Sequence, residues 1–499
     1  MNGAPPDTSY AVEPSATASA TDRFQSAFAA YQHAHQAHWD RVAERLAAWR
    51  GWGAHYHRRL ARVFRFLVPR GLRVLEVGCG TGDLLAALHP GVGVGVDFSR
   101  QMLQHARQHH PELRFVQADA HRLSLHGSFD VVILSDLLND VWDVETVLGQ
   151  VRSVCHPRTR ILVNSYSRVW EPVLSLADRL GLAKPTLHQN WLSSEDLRNL
   201  LYLAGFDVIR GWEEILWPLA TPLLEPLLNR VLVRLWPANL LALTFCLVAR
   251  PAPCPRPAGA APSVSVVVPC RNEAGNIEGI FQRLPRMGRE TELVFVEGHS
   301  SDRTFEAVQA AAAAHPDRPS SLQRQVGVGK GDAVRAGFER AKGDMLMILD
   351  ADLTVRPEDL PRFYEALVSG RAEFANGVRL VYPMQDEAMR FANLIANRLF
   401  GQLFRWLLGQ PVKDTLCGTK VLWRDDYARI AQERSSFGEF DPFGDFDLLF
   451  GAARQSLKIV DVPVRYQART YGTTNIQRWR HGWLLLRMVA FAARRLKFI

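Results

Sequence analysis

Short apolar runs that stop at an acid or a glycine recur along this chain. Each reads as a buried strand feeding a turn. RVLEVGCGTGDLLAAL, Arg73 to Leu88, starts with a β-rich run, Val74 to Val77. It then enters a turn with Gly78, Gly80 and Gly82, and goes on at helical spacing. VGVGVD ends in Asp97, RFVQAD ends in Asp119, and FDVVILSD adds another run. Apolar runs bounded by turn signals suit strands covered on both faces, as in parallel sheets. In this order they predict a doubly wound α/β sheet with a nucleoside site at the strand ends. Glycines let the backbone approach a ligand closely, and the helix start behind them offers free N–H groups. A carboxylate about 20 residues past such a turn can hold ribose hydroxyls.

The second half repeats this grammar. VSVVVPCRNEAGNI, Val264 to Ile277, is a β-branched strand that stops at Pro269, with Asn272 and Glu273 leading into a helical pattern. ELVFVEGHSSDRT carries Glu297 into a Gly turn. GVGKGDAVRAGFERAKGD places Lys330 and Asp332 at the head of an amphipathic helix. It is not a Walker loop, because no Ser or Thr follows the lysine. MLMILDADL then ends on Asp350 and Asp352. Two carboxylates at i and i+2 past a buried strand suit Mg²⁺ or Mn²⁺, above all when a diphosphate supplies further oxygens. In isolation the pair reads as a solvated acidic turn; its neighbours decide.

The flanks differ in pattern. Residues up to Asp22 are rich in Ala, Ser, Thr and Pro and are expected to be disordered. Arg23 to Leu67 reads as helical. Its histidines His33, His35, His38, His55 and His57 lack cysteines or paired carboxylates at ligand spacing, so solvated helical faces are expected. Ile215 to Ala249 is interrupted by Glu225, Arg230, Arg234 and prolines and reads as core plus loops. ARPAPCPRPAGAAPS, Ala249 to Ser263, is a stiff linker. The C-terminal stretch Arg478 to Ile499 holds six Lys or Arg and no acid. Arg480, Arg487 and Arg494 share one helical face, and Leu485, Met488, Val489, Ala492 and Leu496 fill the other, the pattern of an interfacial membrane helix. The expected domains are therefore 23–250, a linker at 251–263, 264–477, and a basic helix at 478–499, after a disordered 1–22.

Composition narrows the classes. With 47% hydrophobic and 22% charged residues, the 499-residue chain is globular. A net charge of +8 and a pI near 9.3 point to an anionic partner. No nucleic-acid recognition module accompanies that charge, so nucleic acid is set aside. Six scattered cysteines without Cys-x-x-Cys spacing argue against a zinc site or a disulfide framework and suit a reducing cytosol. No signal-peptide pattern opens the sequence, and no charge-free run of about 20 apolar residues indicates a spanning helix.

On these motifs, Arg73 to Tyr166 resembles the class I S-adenosylmethionine-dependent methyltransferases. The resemblance implies a Rossmann-like domain with the loop Gly78, Gly80, Gly82 under the methionine part of the cofactor. Asp97 would bind the ribose, Asp119 would lie near the adenine, and Glu76 would sit under the loop. SSEDLRNLLYLAGFDVI, Ser193 to Ile209, is similar to the end of that fold, with Ser193 as cap and Asp196 three residues on. Amino-methylating members carry an Asn/Asp-Pro-Pro-Tyr motif after the fourth strand; SDLLND, Ser135 to Asp140, stands there instead. A hydroxyl acceptor is compatible, and no general base is evident.

Ser263 to about Ile476 resembles GT-A fold, family 2 glycosyltransferases, closest to the polyprenyl- or dolichol-phosphate sugar synthases. The resemblance implies that Pro269, Arg271, Glu273 and Glu297 line the base and ribose end of a nucleotide-sugar pocket. Lys330 and Asp332 belong to the nucleotide region, and Asp350 and Asp352 hold the metal. Asp414 and Gly418 fall in a further matching segment, and Arg379, Arg390, Lys420 and Arg469 would meet the diphosphate and the acceptor phosphate. Three departures stand out. Gly298 replaces a second turn acid, Thr474-Asn475 replaces a Ser-Lys, and GEFDPFGDFD, with Asp445 and Asp447, replaces a Glu-Asp base. A hydroxyl nucleophile needs a base, whereas a phosphate monoester is already ionised.

The expectation is a bifunctional enzyme at the inner face of the cytoplasmic membrane. It would move a sugar from a nucleotide donor to a polyprenyl phosphate, and a methyl group to a small-molecule, sugar or lipid acceptor. The alternative is transfer to a polysaccharide hydroxyl with Asp445 or Asp447 as base, the first domain being a non-catalytic nucleoside-binding or docking module.

Overall fold

The computed structural model describes residues 20–44, 46–179, 187, 189–253, 261–382, 391–433, 445–467, 469, 471 and 486–498. The expectations for 1–19, most of the linker, Arg390, Thr474-Asn475 and residues 478–485 lie outside that set. The chain divides into two compact units, Met1–Ala252 and Pro253–Ile499.

The first unit opens with two helices, α1 (Ala20–Glu44) and α2 (Leu46–Leu67). α1 thus begins inside the stretch expected to be disordered. Its histidines are also not all solvated: His35 and His38 are buried. In α2 the buried positions Tyr56, Leu60, Val63, Phe64 and Leu67 recur at helical spacing and form one core with Leu85, Ile133 and Leu162. Seven strands follow: β1 (Arg73–Val77), β2 (Val92–Asp97), β3 (Arg114–Gln117), β4 (Phe129–Ser135), β5 (Cys155–Tyr166), β6 (Phe206–Glu214) and β7 (Thr244–Pro251). Their order in the sheet is β3-β2-β1-β4-β5-β7-β6. β7 runs antiparallel to both neighbours, and the remaining pairs are parallel. The chain reverses direction across the sheet beside β1, which opens a crevice at the carboxyl ends of β1 and β4.

Helices α3 (Asp83–Ala87), α4 (Arg100–His109), α5 (Val144–Ser153), α6 (Glu171–Arg179) and α7 (Ser194–Leu203) complete this unit. α5 and α7 bury Val147, Leu148, Leu197 and Leu201 against β4 and β5. The capping box at α7 forms as the sequence reads: the Ser193 hydroxyl accepts from Asp196 N, and Ser193 N donates back to the Asp196 carboxylate at 2.9 Å.

The second unit holds β8 (Val264–Cys270), β9 (Thr291–Glu297), β10 (Ser320–Arg324), β11 (Met345–Ile348), β12 (Phe374–Val378), β13 (Lys420–Trp423) and β14 (Ile459–Pro463). Their order is β10-β9-β8-β11-β13-β12-β14. β8 to β11 pair in parallel, and β13 runs antiparallel between β11 and β12. Every residue of β11 is buried, as an uninterrupted apolar run demands. The strand ends just short of Asp350, so that carboxylate leaves the sheet at its carboxyl edge.

The C-terminal segment corrects an expectation. Met488, Val489, Ala492 and Leu496 are buried in the protein, and Phe498 packs on Trp406 of the helix Phe391–Leu408. The apolar face meant for a bilayer is covered by the chain itself. Arg487, Arg494 and Arg495 remain exposed. Among the described residues, no helix is long and apolar enough to cross a membrane.

Candidate active sites

In the first unit the glycine turn closes β1 onto β2. Gly78 N and Cys79 N both donate to Val96 O, at 2.7 and 3.0 Å. Gly78 and Gly82 have φ of 75° and 74°, and a Cβ on either would strike Leu137 or Phe115. A side chain is therefore excluded twice, by backbone angle and by space. Above Gly80 the space is open. Asp97 is buried at the end of β2 and accepts from Gly80 N and Ser99 N, both at 2.9 Å. Glu76 lies under the loop. Burial pushes its carboxyl up to about 8, against the pull of the Leu85 N–H, and its Oε2 has no hydrogen-bond partner. The open Gly80, the buried carboxylate at Asp97 and the orphaned Glu76 oxygen together fit a bound nucleoside with an amino-acid tail.

Helix α1 lies across this edge, which the sequence pattern did not reveal. Gln32 Nε2 donates to Asp119, whose other oxygen accepts from His121 N and Nδ1. Two turns on, Asp40 accepts from Ser99 Oγ at 2.5 Å and from Gln101 N. Tyr31, His35 and Trp39, spaced one turn apart, face the loop after β4. The Tyr31 hydroxyl donates to Asp140 O, Trp39 Nε1 donates to Asp140 Oδ2 at 2.6 Å, and His35 Nδ1 lies 3.3 Å from Asp140 Oδ1. Both ring nitrogens of His35 are buried without a hydrogen-bond partner, Asp140 standing at ion-pair distance only.

The same loop holds Asp136, a non-glycine residue at φ 54°. Its Oδ1 accepts from Tyr56 at 2.8 Å and from Asn164 at 2.6 Å. Burial, then the Asp136 charge, pushes the Tyr56 phenol well up, so Tyr56 is a neutral donor. Backbone held in a sparsely populated region by several side chains marks functional loops. The i, i+4, i+8 spacing of Tyr31, His35 and Trp39 was the available signal; it read as a helix surface because nothing in the sequence tells which face is covered.

In the second unit the carboxyl ends of β8, β9 and β11 bring the candidate residues together. Asp350 Oδ1 lies 2.6 Å from Lys330 Nζ, and Asp352 Oδ2 lies 2.6 Å from Arg469 Nη2. Arg469 also reaches Glu273 Oε1 at 3.4 Å. Burial pushes the Glu273 carboxyl up to about 7, although Arg469 pulls the other way. Asp352 Oδ1 accepts from Thr354 N and Oγ1, which fixes the turn. Asp332 accepts from Gln325 Nε2 and Gly327 N and so fastens the glycine loop ahead of Lys330. Gly418 seats against the pair: a Cβ there would lie 2.1 Å from Asp350 and 2.2 Å from Lys330.

Other expected residues sit differently. Glu297 is buried under its own turn, accepting from Ser300 N at 2.5 Å. Pro269 is half-buried in β8 and Arg271 is exposed. The space a side chain at Gly298 would need is taken by Gln325 Oε1. Arg379 is not a free cation: Nε and Nη2 clamp the fully buried Asp414 at 2.7 and 2.9 Å. Lys420 is fully buried and donates to Cys417 O, so the expectation that it meets an acceptor phosphate is corrected; in this fold it braces the loop beneath the site. Asp447 faces Arg335 at 3.8 Å, Asp445 opens the helix Asp445–Arg454, and the side chain of Asp445 lies outside the described set.

A divalent cation passes the test of donor chemistry here. Asp350 and Asp352 present hard oxygens, and Mg²⁺ is commonly held by one or two carboxylates plus substrate phosphates. Among the described residues no group of three or more His, Cys, Asp or Glu could hold a metal. The remaining ligands would have to come from a diphosphate.

In each unit the candidate residues gather at the carboxyl edge of an α/β sheet. Residues 69–205 match the family description "Methyltransferase domain", and residues 265–430 match "Glycosyl transferase family 2". The chain joins a methyltransferase domain to a family 2 glycosyl transferase domain.

Among curated relatives, it is 29% identical over 213 residues to the undecaprenyl-phosphate 4-deoxy-4-formamido-L-arabinose transferase of Edwardsiella ictaluri, covering 42% of this chain and 61% of that protein. It is 28% identical over 222 residues to the dolichol-phosphate mannosyltransferase of Pyrococcus furiosus, covering 43% and 59%. The match thus spans about three fifths of those relatives' length. Among solved structures, a Thermotoga maritima S-adenosylmethionine-dependent methyltransferase, titled a possible histamine N-methyltransferase, aligns at TM-score 0.35 and 17% identity, over 43% of this chain and 98% of its own.

Proposed function

We propose that the second domain transfers a sugar from a nucleotide-sugar to a polyprenyl phosphate, and that the first transfers a methyl group from S-adenosylmethionine to a hydroxyl of a sugar or lipid intermediate. The observation that carries the first half is the double ion pair Lys330–Asp350 and Arg469–Asp352 at one strand edge. Two carboxylates and two cations within bonding distance make a site tuned to a metal diphosphate. Lys330 would exchange the Asp350 carboxylate for phosphate oxygens of the donor. Glu273 and Glu297 hold the turns at the base and ribose end. A bound Mg²⁺ or Mn²⁺ would neutralise charge building on the leaving diphosphate. Arg469 would then align the acceptor phosphate for in-line attack, with inversion at the anomeric carbon.

The names of the relatives support a polyprenyl-phosphate acceptor, as does the state of Asp447. Its carboxylate faces Arg335 at 3.8 Å, toward a cation rather than toward an incoming hydroxyl. In the first domain, Glu76, Gly78, Gly80, Gly82, Asp97 and Asp119 would hold the cofactor, which supplies the sulfonium methyl. His35, with Asp140 3.3 Å from its Nδ1, would take the acceptor proton at Nε2.

The test is a screen of UDP- and GDP-sugars with undecaprenyl phosphate and Mg²⁺ or Mn²⁺, read by product mass spectrometry. A glycosyl phospholipid is expected. Products found only on oligosaccharide hydroxyls, and abolished by Asp447→Asn, would replace this reading with the polysaccharide one.

A further inference from the structure

The segment between β6 and β7 is built inside out. Its polar side chains point inward. Asn229 is fully buried, taking Leu216 N and Trp217 N on Oδ1 and giving Nδ2 to Trp217 O. Arg234 is buried on Glu214, which also takes Arg59 at 2.6 Å. Glu225 turns in toward His55 and Asn229. Its apolar side chains point outward instead: Leu223 is 88% exposed, Trp236 80% and Leu241 62%. Leu223 also stands at φ 65°, a backbone region that a branched side chain occupies only under constraint.

A second exposed strip adjoins it. Trp170 Nε1 donates to Leu241 O and Ser167 N donates to Leu243 O, both at 2.8 Å, so the turn before α6 is tied to this segment. α6 and that turn expose Val169, Val173 and Leu176. The exposed charges beside these side chains are Arg168, Arg179 and Arg230. Of the acids there whose burial is described, Glu171 is half-buried and Glu225 faces His55 and Asn229.

An apolar surface of this extent costs free energy in water and marks an interaction site. Several features choose its occupant. A protein partner would be met by a mixed rim, whereas exposed leucines and a tryptophan flanked by the exposed Arg168, Arg179 and Arg230 are the composition of proteins lying in the headgroup layer of an anionic bilayer. We propose that residues 222–241, with the exposed face of α6, form a monotopic membrane-binding surface of the methyltransferase domain. Trp236 and the leucines would enter the acyl boundary, and the arginines would meet anionic headgroups. The C-terminal helix, whose apolar face is already covered, contributes only charge. The inference does not rest on the identity of the sugar acceptor, because binding to lipid is read without turnover.

The experiment is flotation of the full chain with phosphatidylglycerol/phosphatidylcholine vesicles and with phosphatidylcholine alone. It is paired with hydrogen exchange with and without vesicles. The expected result is binding to the anionic vesicles with new protection at 222–241. Leu223→Glu/Trp236→Glu/Leu241→Glu should weaken partitioning by at least about tenfold, since each anchor is lost and an acid is added. Arg487→Glu/Arg494→Glu should cost far less. Three results overturn the inference: vesicle binding that the triple variant leaves intact, protection at 222–241 already complete without vesicles, or a parent dimer that the triple variant converts to monomer without change in lipid binding. If the triple variant fails to fold, the exchange pattern of the parent chain decides alone.

Discussion

Arg469 places one guanidinium nitrogen 2.6 Å from Asp352 Oδ2, and its other nitrogen reaches toward Glu273. A single side chain thus spans the candidate donor site, from Asp352 to Glu273 behind β8. The pairing balances the charge of Asp352 with a guanidinium that, on the proposed mechanism, would turn to the acceptor phosphate.

Arg469→Ala is therefore expected to cost transfer far more than donor binding. Breaking a partly buried charge pair costs roughly 2–5 kcal/mol, which as a barrier is about one and a half to four orders of magnitude in rate. Steady-state kinetics with the best donor should show the loss mainly in kcat. A change confined to KM would assign Arg469 to ground-state donor binding instead.

Metal removal should abolish sugar transfer and leave methyl transfer untouched. Chelation by EDTA, followed by Mg²⁺ or Mn²⁺ add-back, measures both. Asp350→Asn and Asp352→Asn should fail to recover at any metal concentration, and full EDTA-resistant sugar transfer would remove the metal from the mechanism.

Gly418→Ala forces a methyl group into the Lys330–Asp350 pair. The neighbours are a charged pair at the floor of the site, so the cost is of the overpacking kind, about 1–3 kcal/mol. Thermal unfolding should register that loss, and weaker nucleoside diphosphate binding by calorimetry should accompany it. Unchanged binding would mean that the pair moves aside freely.

Glu76 gives a pH signature in the unliganded chain. Its carboxyl rises from an ordinary 4.5 to about 8 on folding, so between those values the folded state binds more protons than the unfolded one. The stability this group contributes is complete below pH 4.5 and is lost as pH rises toward 8. Glu76→Gln should be more stable than the parent near pH 8, with a flatter denaturant-stability profile across that window. Parallel profiles would show that Glu76 is ionised throughout.

His35→Gln should slow methyl transfer by about 10²–10⁴-fold, the usual worth of a general base, while S-adenosylhomocysteine binding measured by calorimetry stays within a few fold. The rate can be followed as S-adenosylhomocysteine release with an envelope extract as acceptor. Equal loss of binding and rate would make His35 a brace for α1.

Much of the fold was legible because buried parallel strands write themselves as unbroken apolar runs. β1, β2, β4, β8, β9 and β11 all follow such runs, with Asp97, Glu297 and Asp350 at or just beyond the strand ends. Arg379 and Lys420 were legible as cations of the right motifs, but not as a locked partner of Asp414 and a buried brace. A charged letter carries no sign of its depth. The segment after β6 misled for the same reason: Glu225 and Arg234 read as breaks in a core, yet Arg234 is buried and Glu225 turns inward.

The sequence by itself determined the two domains, the order of their strand-turn junctions and the residue types at each ligand-facing end, because periodicity and turn chemistry are local. Only the tertiary structure decided which charges pair, that α1 closes over the loop after β4, and which apolar surface stays open. Those outcomes depend on contacts between residues far apart in the chain, such as Arg469 with Asp352 and His35 with Asp140. Burial there is set by what packs above a side chain, not by its neighbours in sequence.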